Sequence, residues 1–337
     1  MDRRVVTVFG GSGFLGRHLV RRLAADGAIV RVAVRDTEAA QFLKTSGDVG
    51  QIVPVAVDIT DPSLVDAAAA GADAAVNLVG ILWERGRRTF ERVHAEGAAN
   101  VARAAAAAGV GRLVHVSAIG AAGDSPSAYA RTKAAGEAAV VEAFPAATIV
   151  RPSVVFGPED KFFNLFAGLA RLSPALPVFG CPFPPKVTLF SGGAALRVDL
   201  FGDGGTKFQP VYVGDVAEGI MKILADPQTR GQVFELGGPT VYSFKKLMEL
   251  MLAEIGRKRI LVPVPFAIAR MEAWFLEKLP QPLLTRDQVR LLERDNVVSG
   301  MARTFQDLGI EPAAAETILP AYLRRFRRPG RRNLRPA

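Results

Sequence analysis

The sequence predicts an α/β protein, a doubly wound parallel sheet with a smaller mixed lobe toward the C-terminus. Two observations carry that prediction. Short, continuously apolar runs alternate with helical patterns through the first half, as strands buried on both faces and their crossover helices do. A glycine-rich turn also sits directly between the first such run and the first helix. Length and composition agree. With 337 residues, 49% of them hydrophobic and 22% charged, the chain can bury a large core and is too apolar to be disordered.

Taken in order, residues 5–9, 29–34, 52–57, 74–79, 113–117 and 148–151 read as strands. Residues 14–25, 63–70, about 90–108 and 128 to about 142 read as the helices between them. Right-handed crossovers then give the doubly wound order. After Phe156 the alternation fades and prolines cluster. Residues 180–207, rich in Gly and Pro, read as a loop or hairpin insertion. Helices are expected over 213–224, 243–255, 266–279 and 287–292. The division expected is a sheet domain over 1–155, an interleaved lobe over 156–323, and an arginine-rich, weakly ordered tail over 324–337.

The sharpest local signal is Gly10-Gly11-Ser12-Gly13-Phe14-Leu15-Gly16. Gly10 permits a tight turn, Gly13 lets backbone approach a pyrophosphate, and Gly16 lets helix and strand pack closely. Phe14 and Leu15 open the helix, whose N-terminal N–H groups and partial positive charge face the phosphates. This is the dinucleotide-binding turn of a Rossmann domain. The second strand ends at Val34 and is followed by Arg35, where an acid for a ribose 2′-hydroxyl would favour NAD. Arginine favours a 2′-phosphate, hence NADP(H), with Arg17 able to assist; the neighbouring Asp36 keeps NAD(H) open. Asp58 and Ile59 follow the third strand, where the adenine is expected. Val79 and Gly80 end the fourth, where backbone passes the ribose.

Tyr129 and Lys133 have the spacing Tyr-x-x-x-Lys on a helix, so they share a face. A nearby ammonium favours tyrosinate, and the expectation is a Tyr129 pKa drawn down toward a usable acid/base. Together these features resemble the short-chain dehydrogenase/reductase superfamily, in its extended or atypical branch, over residues 4 to 260. The resemblance implies that Ser117, Pro152 and Val155 lie around the nicotinamide with Tyr129 and Lys133. It also exposes a departure. Active members carry a Ser or Thr shortly after the fifth strand to hold the substrate oxygen, and here that position falls on Ile119, which cannot donate a hydrogen bond. Ser125 and Ser127 are the nearby candidates to substitute.

An intact cofactor apparatus beside a missing carbonyl holder narrows the likeness. The chain resembles the short-chain-dehydrogenase-like accessory subunits of respiratory complex I and their bacterial homologues. Residues 116–118, 129–133, 151–161, 207–212 and 287–299 carry that likeness. It implies tightly held NADPH, a structural or assembly role among NADH–quinone oxidoreductase subunits, and little or no turnover. The alternative is an active NAD(P)-dependent oxidoreductase or epimerase/dehydratase on a sugar-nucleotide or isoprenoid or quinone-type substrate, with Tyr129 and Lys133 as its catalytic pair.

Composition bounds the partners. A net charge of +9 attracts anionic surfaces. The tail arginines, Arg324 to Arg335, make an anionic lipid surface a candidate partner. The apolar residues of 264–279 are expected to pack on the lobe, with docking on a membrane or partner helix as the other reading. With one cysteine and three dispersed histidines, no metal site is expected, and each histidine is expected to be structural or on the surface. No nucleic-acid-binding fold is evident. No targeting or membrane-spanning segment is evident either, which gives a cytoplasmic protein peripheral on the inner face of the respiratory membrane.

Overall fold

The computed structural model of the chain describes residues 4–182, 186–191 and 194–327. The first half is β1 (Val5–Phe9), α1 (Phe14–Ala25), β2 (Ile29–Val34), β3 (Ile52–Ala56), α2 (Pro62–Ala69), β4 (Ala74–Asn77), α3 (Gly97–Ala107), β5 (Arg112–Val116), α4 (Ala128–Ala143) and β6 (Thr148–Pro152). The second half adds β7 (Val155–Phe156), α5 (Phe162–Leu172), β8 (Ala175–Phe179), β9 (Lys186–Ser191), β10 (Ala194–Asp199), β11 (Lys207–Phe208) and β12 (Val211–Tyr212). There follow α6 (Val213–Ala225), β13 (Val233–Leu236), β14 (Tyr242–Ser243), α7 (Phe244–Glu254), β15 (Ile260–Val264), α8 (Phe266–Leu276), α9 (Arg286–Leu292) and α10 (Ala315–Leu323).

Seven of the described strands form one parallel sheet in the order β13-β6-β5-β4-β1-β2-β3. The order reverses between β1 and β4, the switch point where such sheets hold ligands at their carboxyl edge. The strands bury both faces. Val6 and Val8 of β1 face α1 and α6, where Leu19, Val20, Leu23, Val216 and Ile220 close the core. Phe9 faces the other way, among residues of α2, α3 and α4. Each such fully buried aliphatic side chain stabilises the fold by about 1.5–3 kcal/mol relative to exposure.

The first-half elements lie where the sequence places them, with one difference of substance. The single helix expected over 90–108 is two. Residues Glu91–Glu96 form a π turn, with the Gly97 N–H bonding the Arg92 carbonyl five residues back, and only then does α3 begin. The second half holds more order than expected. β13 completes the sheet, α5 and α10 were not anticipated, and β8 pairs in parallel with β15 to build the lobe. Pro177 and Pro263 sit inside that pair; proline weakens a strand pattern in sequence yet is tolerated in an edge ladder. The 180–207 insertion contains the antiparallel hairpin β9–β10.

Two expectations about the surface are corrected. The helix expected over 266–279 ends at Leu276, and of its large apolar residues only Phe266, at its start, packs on the lobe core. Ala269 and Ala273 make the buried stripe, while Ile268, Met271, Trp274 and Phe275 are exposed, Phe275 by 62%. The first residues of the tail are not loose. Arg325 donates to the Pro158 carbonyl and Asn164 Oδ1, and Arg327 to the Glu254 carbonyl. Arg328 to Arg335 lie outside the described residues.

Candidate functional site

The glycine turn has the shape its sequence requires. Gly10 has φ +78°, a left-handed conformation that an L side chain rarely adopts. A Cβ on Gly16 would lie 2.5 Å from the carbonyl oxygens of Gly10 and Gly11, and one on Gly13 would lie 3.1 Å from the Gly10 oxygen. α1 begins at Phe14 with Gly13 as its N-cap and no side-chain cap, so its first N–H groups are free for an anion. Phe14 continues the cradle against Gly157, where a Cβ would lie 3.3 Å from its ring. Leu15 instead packs on the sheet core. Arg17 is occupied locally. It donates to the Gly13 and Ser12 carbonyls at 3.4 Å and pairs with Glu159 at 3.5 Å, which braces the turn.

Arg35 is exposed just past β2. Asp58 follows β3 and accepts from the Thr60 N–H and hydroxyl at 3.0 and 2.9 Å. Burial opposes its ionisation, but those hydrogen bonds and the charges of Arg35 and Arg88 outweigh it and hold the carboxyl below its ordinary value. Arg88 thus joins Arg35 and Asp58 in one charge cluster, and its loop position gave no sequence signal. Ile59 is buried beneath α3, its carbonyl accepting from Asn100 Nδ2 at 3.1 Å. Val79 packs on Gly10, and a Cβ on Gly80 would lie 3.4 Å from Lys133 Nζ. The carboxyl ends of β1 and β4 thus meet the Tyr129 helix.

The expected activation of Tyr129 by Lys133 is not what the structure provides. Lys133 Nζ donates to the Val116 carbonyl at 3.2 Å, and burial pulls its pKa down to about 8. Burial pushes Tyr129 up to about 12. Burial of each group, not a charge interaction between the two, sets both shifts. Tyr129 is therefore a neutral phenol at physiological pH, packed edge-on against Phe90 and His94 with ring centroids 5.8 and 5.1 Å away.

His94 was expected only as a structural or surface residue. It is nearly fully buried beside Tyr129. Its Nε2 accepts from the Ile81 N–H at 3.0 Å, which assigns the proton to Nδ1, 3.2 Å from the Thr132 hydroxyl. Burial first, then Lys133, drives its pKa down to about 2, so the ring is a neutral spacer. Gly136 lies against it. A Cβ there would fall 2.1 Å from the His94 carbonyl, so this close approach of α4 to the π turn requires glycine.

Ile119 is buried, and its N–H bonds the Pro152 carbonyl. Of the two candidate serines, Ser127 is not free to replace a hydroxyl there: it caps α4 and donates to Asp287 Oδ2 at 2.7 Å. The Ser125 hydroxyl is buried and accepts from the Ser127 N–H. Ser117 differs, since its hydroxyl is buried without a partner among the described residues. Pro152 ends β6, and Val155 starts β7, paired to Val211 of β12. The glycine cradle, the uncapped α1 and the unpartnered Ser117 hydroxyl fit a dinucleotide laid across the carboxyl edge. Among the described residues no cluster of three or more His, Cys, Asp or Glu could hold a metal ion.

The model of the NAD dependent epimerase/dehydratase family matches residues 6–237. The chain belongs to that family. Its class of cofactor is therefore a nicotinamide dinucleotide. Among curated proteins, the chain is 36% identical to "NADH dehydrogenase [ubiquinone] 1 alpha subcomplex subunit 9, mitochondrial" of Arabidopsis thaliana, over 97% of this chain and 79% of that one. It is 42% identical to "Ceramide reductase" of Caulobacter vibrioides, over 52% of this chain and 54% of that one. A solved dTDP-glucose 4,6-dehydratase of Streptomyces venezuelae with NAD bound shares the fold, with a TM-score of 0.68 at 21% identity, covering 96% of each chain.

Proposed function

We propose that this protein holds NADP(H) as a structural group and serves as an accessory or assembly subunit of respiratory NADH–quinone oxidoreductase, with little or no turnover. The observation that carries the reading is Ile119. Beside the dinucleotide cradle, the position where the substrate oxygen would be held carries a buried side chain with no hydrogen-bonding group, and Ser127 is committed to Asp287. The relatives named as complex I subunits, matched along nearly the whole chain, support the role. Arg35 supports the 2′-phosphate. When bound, the nicotinamide would be the hydride donor or acceptor, and the chain's own residues would hold the cofactor's two ends.

The place proposed is the inner face of the respiratory membrane, reached by surface contact. Among the described residues no helix is long and apolar enough to cross a membrane. The exposed apolar face of α8 and the basic tail supply the contact, the tail through anionic headgroups.

Affinity purification of the tagged protein from mildly solubilised membranes tests this. Stoichiometric recovery of NADH–quinone oxidoreductase subunits is the expected result, and recovery of the protein alone would sink it.

A second reading is favoured by Tyr129 and Lys133, both present on α4 at the right spacing. In that reading the chain is an NAD(P)-dependent oxidoreductase or epimerase in which the Tyr129 phenol gives a proton to a reducing carbonyl. The relative named a ceramide reductase adds weight to it. Tyr129→Phe separates the two. It leaves complex assembly intact under the first reading and abolishes the cellular phenotype under the second.

A further inference from the structure

Residues 285–299 come from far along the chain, yet they are bound into the candidate site. α9 delivers Asp287 to the start of α4. Its carboxylate accepts from the Ser127 hydroxyl and the Ala128 N–H, both at 2.7 Å, and from the Tyr129 N–H at 3.1 Å. It therefore caps the Tyr129 helix from outside, where an anion is favoured.

Nine residues on, Asn296 uses every group it has. Nδ2 donates to the Ile119 carbonyl at 3.3 Å. Oδ1 accepts from the Ser153 hydroxyl at 2.7 Å and the Val154 N–H at 3.1 Å. Its N–H donates to the Lys207 carbonyl at 2.8 Å, and its carbonyl accepts from the Gln209 N–H at 3.1 Å. Val298 and Ser299 continue the attachment, to Gln209 Oε1 at 3.0 Å and Glu235 Oε2 at 2.7 Å. Gly237 has no room for a Cβ because Gln209 and Val298 lie within 2.7 Å of its place.

One amide thus ties the turn after β5 to the turn after β6, the two turns that flank the nicotinamide in the reading above. Only an amide offers a donor to Ile119 and an acceptor to Ser153 and Val154 on one planar group. The adenosine end, at β2 and β3, has no bond to this segment among the described residues.

We propose that residues 285–299 form the nicotinamide-side wall of the cofactor site, and that Asn296 is the positioning residue that sets the spacing of its two turns. Binding of the nicotinamide half and docking of this segment then stabilise each other by linkage. α8 is fastened to the same segment, through the Arg270–Glu293 and Arg286–Glu277 ion pairs. Occupancy of the site therefore also steadies the helix that carries the exposed Met271, Trp274 and Phe275. The inference rests on the dinucleotide reading.

The test is hydrogen exchange on the full-length protein with NADPH, and separately with 2′,5′-ADP, which carries only the adenosine half. NADPH slows exchange across 285–299 and 2′,5′-ADP does not. Equal protection by both, or NADPH binding with no protection, overturns the inference. Asn296→Leu should raise the NADPH Kd about tenfold, the loss of one to two net hydrogen bonds, and leave the 2′,5′-ADP Kd within about twofold. Asn296→Asp keeps the acceptor, loses the donor, and falls between. Equal weakening of both ligands by Asn296→Leu, or no weakening, also overturns it. Should that variant fail to fold, the exchange data on the natural chain decide. Failure of the natural chain to bind either ligand would instead remove the proposed function itself.

Discussion

Replacing Gly136 with alanine tests the packing that places Tyr129. In an exposed helix interior this change stabilises by up to about 1 kcal/mol, because alanine loses less backbone freedom on folding. At Gly136 the new Cβ would lie 2.1 Å from the His94 carbonyl oxygen and 3.1 Å from its carbon. Non-bonded carbons settle at roughly 3.5–4.0 Å from their neighbours, so α4 must retreat by about 1 Å from the π turn. The same face of α4 carries Lys133, Glu137 and Val140, all buried, so the retreat strains a packed layer. Overpacking of that kind costs about 1–3 kcal/mol, and the sign of the usual Gly→Ala effect reverses. Gly168→Ala is the internal control, since it lies within α5 and nothing lies within 4 Å of its Cβ position. Urea denaturation of both variants should show Gly136→Ala destabilised and Gly168→Ala unchanged or slightly stabilised. Equal behaviour of the two would refute the claim that α4 and the π turn are held at a glycine-only distance.

Other outcomes follow from individual groups. Arg35→Glu should weaken NADPH binding about ten- to a hundredfold by isothermal titration while sparing NADH; an unchanged NADPH Kd would remove the 2′-phosphate assignment. Burial holds Lys133 at a folded pKa of about 8 against the ordinary 10.5 of the unfolded chain, so its buried charge penalises the fold below pH 8 and the penalty fades between pH 8 and 10.5. The stability advantage of Lys133→Met over the natural chain should therefore shrink by roughly 3 kcal/mol across that range, and a pH-independent difference would contradict the burial. Tyr322 donates to Asp160 Oδ2 at 2.6 Å beneath the start of α5, while the Gly157, Phe163 and Asn164 N–H groups also serve that carboxylate. Tyr322→Phe should thus cost only about 1–2 kcal/mol by thermal melting, and a loss well above that would mean the backbone donors do not support Asp160 alone.

What was legible in the sequence was local. Alternating apolar runs mark β1 to β6 because each must bury both faces, and the glycine turn declares itself because every glycine in it has a steric reason. The π turn was hidden because Phe90 to Ala108 is rich in helix formers, and the bulge is set by the approach of Gly136 from another helix. Asp287 and Asn296 lie within the 287–299 stretch that carries the resemblance, but the sequence does not show their role. It depends on contacts to Ser127 and Ser153, 160 and 143 residues away. α8 was misjudged for the opposite reason. Its periodicity shows a face that is apolar, and only the fold shows that Ala269 and Ala273 face inward while Ile268, Met271, Trp274 and Phe275 do not.

The chemistry of α4 gives Tyr129 and Lys133 a use that does not need turnover. Lys133 is desolvated, and it sits beside Gly80 at the end of β4. A ribose hydroxyl brought there would give the buried ammonium a second acceptor besides the Val116 carbonyl, and relieving an under-solvated charge is worth more than an exposed hydrogen bond. The neutral Tyr129 phenol supplies a donor to the same end, and the unpartnered Ser117 hydroxyl gains one. Lys133 and Ser117 carry a desolvation cost that the folded chain alone leaves unmet. A ligand that meets it binds the folded state and not the unfolded one, and at a hundred times its Kd it stabilises the fold by about 2.7 kcal/mol. In the proposed arrangement the dinucleotide would act as a bolt between the sheet, α4 and the segment through Asn296, with Ile119 standing where a hydroxyl-bearing residue would hold a substrate oxygen. Under the proposed accessory role, such a chain would gain stability from a cofactor whose hydride it need not transfer.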